Sequence, residues 1–299
     1  MALFVSSCGT GDADTSGADA AYLADLEEWR VKRMTALRAE DGYLNLAGLF
    51  WLTEEKSRFG SAEDNDIQFP PAAPAYVGDF ELTEDGVMMT VSPDADVRVD
   101  GERVESILML DDTTEAPVTV TMGQLAWVVV NRERKMAVRL RDFEHPALTA
   151  LPPIPSFDIN PGWRVEGELI LYDEPRIANM DTVIEGLGYN PQSPGVVAFD
   201  YGGERYELEA YALGERLLFV FGDLTSGRDT YPAGRFVYAA WPGEDGKTIL
   251  DFNKSYNPPC AFGDFSTCPV ASPRNRLPVR IEAGERYVAA LHVGSLTRD

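Results

Sequence analysis

From Ile67 to Phe252 the chain is a succession of short runs in which apolar residues alternate with polar ones, each closed by turn residues. A period of two puts every second side chain on one face, which is the signature of a half-buried strand and is incompatible with a helix. On this pattern strands are expected at 67–69, 75–82, 87–91, 97–99, 104–110, 118–121, 125–130 and 136–141. A second series follows at 164–172, 178–184, 195–200, 204–212, 216–221, 234–240 and 248–252, with a final pair at 279–281 and 286–292. Glu84-Asp85-Gly86, Asp100-Gly101 and Tyr201-Gly202-Gly203 supply hairpin turn chemistry. No run of helices is available to cover a parallel sheet, so the alternatives are antiparallel sandwiches or barrels.

The pattern breaks once, between Phe143 and Pro161, where Pro146, Pro152, Pro153, Pro155 and Pro161 restrict the backbone. That stretch reads as a stiff connection between two β units. The expected fold is therefore mainly β, two packed sandwich- or barrel-like units with one N-terminal helix. Residues 1–18 form an N-terminal segment and linker, 19–150 the helix and first unit, and 151–299 the second unit. The helix is expected from about Asp19 to Arg38, where Tyr22, Leu26, Trp29, Arg33/Met34 and Leu37 recur at helical spacing. Val5-Ser6-Ser7-Cys8 has the form of a lipidation box, with Cys8 as the acylated residue, although the basic and long apolar regions of a full signal are missing. With an anchor at Cys8 the protein would sit in the cell envelope and touch the membrane only through lipid; without one it would be cytoplasmic.

Charge narrows the partners. With 26 basic against 49 acidic residues the formal net charge is -23, which opposes binding to nucleic acid or to an anionic membrane surface. Only five of the basic residues are lysines (Lys32, Lys56, Lys135, Lys247 and Lys254). Adaptation to high salt produces this balance, and so does an acidic protein from a GC-rich genome.

Motif chemistry is mostly excluded. Gly243 to Thr248 ends like a phosphate-binding loop, but Trp241 stands where the first glycine is required, and a strand follows where a helix should. Asp12, Asp14, Ser16 and Gly17 begin like a calcium loop, yet Leu23 occupies the position of the bidentate glutamate. No nucleophile elbow is present, and the two histidines, His145 and His292, are too few for a histidine-rich metal site. No cofactor or metal is expected.

What remains is the stretch Thr248 to Arg286, dense in prolines, aromatics and amides and too long for an ordinary connection. Asp251, Asn253, Tyr256 and Asn257 follow a strand, and Asp223, Tyr231 and Arg235 lie in the preceding segment. If adjacent strands pair, the two clusters meet at one end of a sheet. Asp251 or Asp223 would then act as base, Arg235 as anion holder, and Asn253, Tyr256, Asn257 and Tyr231 as ligand contacts. The alternative is that the same side chains tie down loop backbone. Cys260 and Cys268, separated by seven residues that include Gly263, are expected to form a disulfide, with a reactive Cys260 thiol as the other reading. The favoured function is an unidentified small-molecule site under this loop, hydrolase-like or purely binding. The competing one is a structural envelope protein with a stapled plug.

Asp251-Phe252-Asn253-Lys254, Asn257-Pro258-Pro259-Cys260, Cys268-Pro269, Asn275-Arg276-Leu277 and Ala283-Gly284-Glu285 together resemble an uncharacterised prokaryotic family, domain of unknown function 1684. Thr230 to Arg235, Gly48 to Leu52 and Phe59 to Ser61 look like its other recurring segments. The resemblance runs from about Trp29 onward; Arg274 departs from it where an acidic residue is expected. It implies a site at the C-terminal loop and carries no reaction with it.

Overall fold

A computed structural model describes residues 19–294. It is mainly β with one long helix, as the period-two pattern requires. Helix α1 spans Ala20–Arg38, with the Asp19 carboxylate accepting from the Ala21 amide at 3.1 Å to cap its first turn. It is not long and apolar enough to cross a membrane, and neither is any other helix among the described residues.

The first unit is two sheets packed face to face. One has the strand order 46–51, 135–142, 125–132, 120–122, 98–99, 102–103, and the other 67–68, 56–60, 78–83, 86–91, 106–109. Phe59, Phe69, Phe80 and Trp127 fill the space between them, with Phe59 and Phe80 stacked at 4.1 Å. Alternation sends Trp127, Val129, Val138 and Leu140 into this core. It leaves Arg132 and Arg139 on the opposite face of the same sheet.

The second unit is one six-stranded antiparallel sheet in the order 235–240, 216–221, 204–213, 192–201, 164–177, 247–251. It curls until its end strands meet, where the Thr248 hydroxyl donates to the Ala240 carbonyl at 2.7 Å, so the sheet is a nearly closed barrel. Leu217, Phe219, Phe221, Val237 and Leu250 point inward around Phe252. Leu218, Val220 and Phe236 point outward, yet are buried too, because the C-terminal loop covers that face together with Cys260, Cys268 and Ala271. Cover on both faces explains why Arg216–Phe221 reads as an unbroken apolar run.

Several expectations change. Two strands, Leu46–Trp51 and Lys56–Gly60, form ahead of the first expected one at 67–69. The expected strand at 178–184 shrinks to Met180–Asp181, paired with Gly188–Tyr189. The final strands at 279–281 and 286–292 do not form; the chain there runs irregularly and ends in a short 3-10 turn at Ala289–Leu291. Its hydrogen bonds go instead to isolated partners, such as Val279 O with Leu224 N (3.0 Å) and Tyr287 N to Asp229 O (2.9 Å). The proline-rich connector contains a one-turn helix, Ala147–Ala150.

The units touch directly. Both oxygens of the Glu133 carboxylate, on the first unit, accept from the Gly188 amide and the Asn190 side chain at 3.0 Å each. Helix α1 lies on the C-terminal loop: Leu37 packs with Ala261, Phe262 and Leu291, and Lys254 pairs with Asp25 at 2.5 Å.

Candidate functional site

The polar residues singled out by sequence do gather near the C-terminal loop, but most of them face protein. Asp223 and Arg235 form an ion pair at 2.9 Å with both side chains 1% exposed. The other guanidinium donors reach the carbonyls of Ile281 (2.9 Å), Glu285 (3.3 Å) and Ala283. Asp223 also accepts from Thr225 N (2.7 Å), the Thr225 hydroxyl and Ile281 N (3.3 Å). Burial draws the Arg235 guanidinium below its ordinary value, and Asp223 opposes that shift. A guanidinium with its donors engaged and no access to solvent acts as a strut that holds 281–285 against the barrel.

Asn253 and Asn257 behave alike. Asn253 accepts from Asn160 N (3.0 Å) and donates to Asn160 O (2.9 Å), locking the end of the connector to the loop. Asn257 donates to Arg286 O at 2.9 Å, while its backbone amide donates to Glu285 at 2.7 Å. Glu285 in turn takes the Arg33 Nε donor at 3.2 Å, and burial pushes its carboxyl up against the opposing pull of Arg33. Tyr231 donates to Cys260 O at 3.1 Å. Asp251 caps the 3-10 turn Phe252–Lys254 and accepts the Tyr22 hydroxyl from helix α1 at 2.9 and 3.1 Å. It borders an open polar groove with Arg164, Arg216 and Lys254, away from the sealed Asp223–Arg235 pair. The base, anion holder and amide donors therefore do not converge on one reactive point.

The expected disulfide is replaced by two buried free thiols. Each backbone amide donates to the other cysteine's sulfur, Cys260 N to Cys268 Sγ at 3.2 Å and Cys268 N to Cys260 Sγ at 3.3 Å. The Ser266 hydroxyl lies 3.4 Å from Cys260 Sγ. These polar contacts hold the loop's neck closed without a covalent bond. The hydrogen bond from the Cys268 thiol, chiefly, lowers Cys260 to about 7, whereas burial raises Cys268. The lipidation residue, Cys8, lies outside the described residues.

The accessible chemistry is on the outer wall of the barrel. A cavity of about 460 Å³ opens between that wall and the Arg132/Arg139 face of the first unit, beneath the loop segment Ser266–Pro269. Leu218, Phe236 and Tyr256 make its apolar side, and Tyr43 and Tyr189 bring phenol groups to it. Tyr256 is the one sequence-nominated binding residue that lines it. Its ring packs 5.9 Å from Tyr238 and 4.5 Å from the Arg33 guanidinium, and burial followed by Tyr238 pushes its hydroxyl far up, so it stays protonated. Sequence reasoning missed Arg33, Tyr43, Arg132, Arg139 and Tyr189, which come from outside the loop. A signal existed for one of them: in Lys135–Asp142 arginines alternate with core residues, marking a second face that carries charge.

Fold and site thus define a two-unit β protein whose C-terminal loop is nailed to a barrel and roofs a small inter-unit cavity. Residues 149–286 match the model of the family described as protein of unknown function (DUF1684). The matched span holds the Asp-Phe-Asn, Cys and Asn-Arg-Leu motifs; Gly48 to Leu52 and Phe59 to Ser61 fall before it. No curated protein matches the chain. Among solved structures, the chain is similar to an uncharacterized protein of Haloarcula marismortui determined by solution NMR. Identity is 27% and the TM-score 0.39, over 46% of this chain and 83% of the other.

Proposed function

We propose that this protein binds a small organic molecule in the cavity between its two units, with the C-terminal loop as roof. One observation carries the reading: side chains from four separated parts of the chain bring uncommitted polar ends to an apolar-walled space. Tyr43, Arg139, Tyr189 and Thr267 all border it, and no Asp or Glu does. A concave, mostly apolar site with a few convergent polar groups is the usual form of a ligand pocket. Asp223, Arg235, Asn253 and Asn257 have the architectural role of placing the roof. In this reading those residues serve the loop's structure, and binding belongs to the space they frame.

The test uses a panel of flat aromatic fragments, naphthamide among them, screened by thermal shift and titrated by tyrosine and tryptophan fluorescence. Thr267→Trp, on the half-buried roof, fills the cavity. Saturable binding that Thr267→Trp removes without lowering the melting temperature supports the reading. Binding by no fragment, or binding indifferent to the substitution, refutes it.

A further inference from the structure

We propose that the ligand carries a carboxylate, and that Arg139 is its anchor; this rests on the binding reading above and specifies its chemistry. Strand alternation places Arg139 opposite Val128 on the cavity face of the first unit, with Val138 and Leu140 in the core on either side. Three arginines border the cavity, and two are already matched. Arg132 pairs with Asp112 at 2.7 Å and Arg33 with Glu285 at 3.2 Å. Arg139 has no carboxylate partner among the described residues, and its Nε is buried without a hydrogen bond.

Arg139 is half-buried with its Nε sealed, and the carboxylate that acts on it, Asp112, is already committed to Arg132. A desolvated guanidinium with no carboxylate of its own is costly, although the chain has 49 acidic residues to supply one. Burial, then Arg132, pull the Arg139 guanidinium below its ordinary value against a weaker opposing pull from Asp112, so an incoming anion relieves the remaining penalty. Such a group presents parallel N–H donors matched to a carboxylate. The other polar groups at the cavity are neutral donors. Burial chiefly raises the Tyr43 and Tyr189 phenols, which therefore stay protonated and able to donate. One uncommitted positive charge with neutral donors balances a monoanion, whereas a phosphate dianion would leave buried negative charge unmatched. Leu218, Phe236 and the tyrosine rings suit an apolar, flat body attached to the carboxylate.

The experiment compares naphthoate, naphthamide and inorganic phosphate on the wild-type protein and on Arg139→Gln, with Arg139→Lys as a second variant. Expected is tighter binding of naphthoate than of naphthamide. Arg139→Gln should weaken naphthoate by roughly 30-fold or more, as losing one partner of a buried charge pair does, and leave naphthamide unchanged. Arg139→Lys should restore part of the loss. Because Arg139 has no protein partner to abandon, Arg139→Gln should melt no lower than wild type. Equal binding of naphthoate and naphthamide, insensitive to Arg139→Gln, overturns the carboxylate inference and leaves the binding site standing. Displacement by phosphate at lower concentration than naphthoate overturns it in favour of a dianion. Binding by neither aromatic compound overturns the site itself.

Discussion

Replacing Arg235 by methionine, which keeps the chain length and removes the charge, should cost stability and not chemistry. The side chain is 1% exposed and contacts one carboxylate and three carbonyls, Ile281, Ala283 and Glu285. Methionine leaves Asp223 buried with only the Thr225 and Ile281 donors. Breaking a buried pair from one side costs about 3–5 kcal/mol, and stranded carbonyls that stay dry add to it. Loop 281–285 can relax toward water, so we expect about 4 kcal/mol in total, which at about 2–4 °C per kcal/mol lowers the melting temperature by about 8–16 °C. Urea unfolding followed by tyrosine and tryptophan fluorescence measures it. Adding Asp223→Asn to the Arg235→Met protein removes the orphaned charge and should recover at least about 1 kcal/mol. A cost below about 1 kcal/mol for Arg235→Met, or a loss of ligand binding with unchanged stability, would refute the strut and return Arg235 to the site.

Other consequences are equally direct. Gly284 has φ +76 and a Cβ there would lie 2.5 Å from Ser255 O and 2.7 Å from Phe252 O, so Gly284→Ala should destabilise by about 1–3 kcal/mol in the same unfolding assay. Phe252 is fully buried against Trp163, Phe199 and Phe221, and Phe252→Ala should cost about 3–5 kcal/mol. Glu285 has a folded value raised above its ordinary 4.5, so its favourable contribution is complete below that range and is lost as pH rises through the raised value. The stability of wild type relative to Glu285→Gln should accordingly fall as pH is raised, and a difference independent of pH would count against the burial argument. Unreduced Cys8→Ser protein, denatured and titrated with a thiol reagent, should show two free thiols from Cys260 and Cys268; a count of zero would restore the bridge. The proposed acylation of Cys8 is read by mass spectrometry of membrane-fractionated native protein, where an unmodified soluble chain would exclude it.

The β character and helix α1 were legible because alternation and helical spacing are local properties, written within a few residues of each other. The loop Thr248–Arg286 could be singled out for the same reason: its density in Pro, Asn, Cys and aromatic residues is local. The role of each side chain in it was not. Asp223 can be a base or a buried counter-charge, and Asn253 a ligand donor or a clamp on Asn160. The choice depends on whether the groups within hydrogen-bond reach are water or protein, and those groups lie up to 231 residues away for Asn253 and 58 for Asp223. The expected strands at 279–281 and 286–292 failed for a related reason, since Val279, Arg286 and Tyr287 spend their backbone groups on Leu224, Pro155 and Asp229 and not on a ladder. Most dependent on the tertiary structure is Arg139. Sequence places it on the outer face of a strand, where a solvated arginine is unremarkable. Only the approach of a second unit, pinned through Glu133, turns that face into an enclosed wall and leaves the charge without a partner.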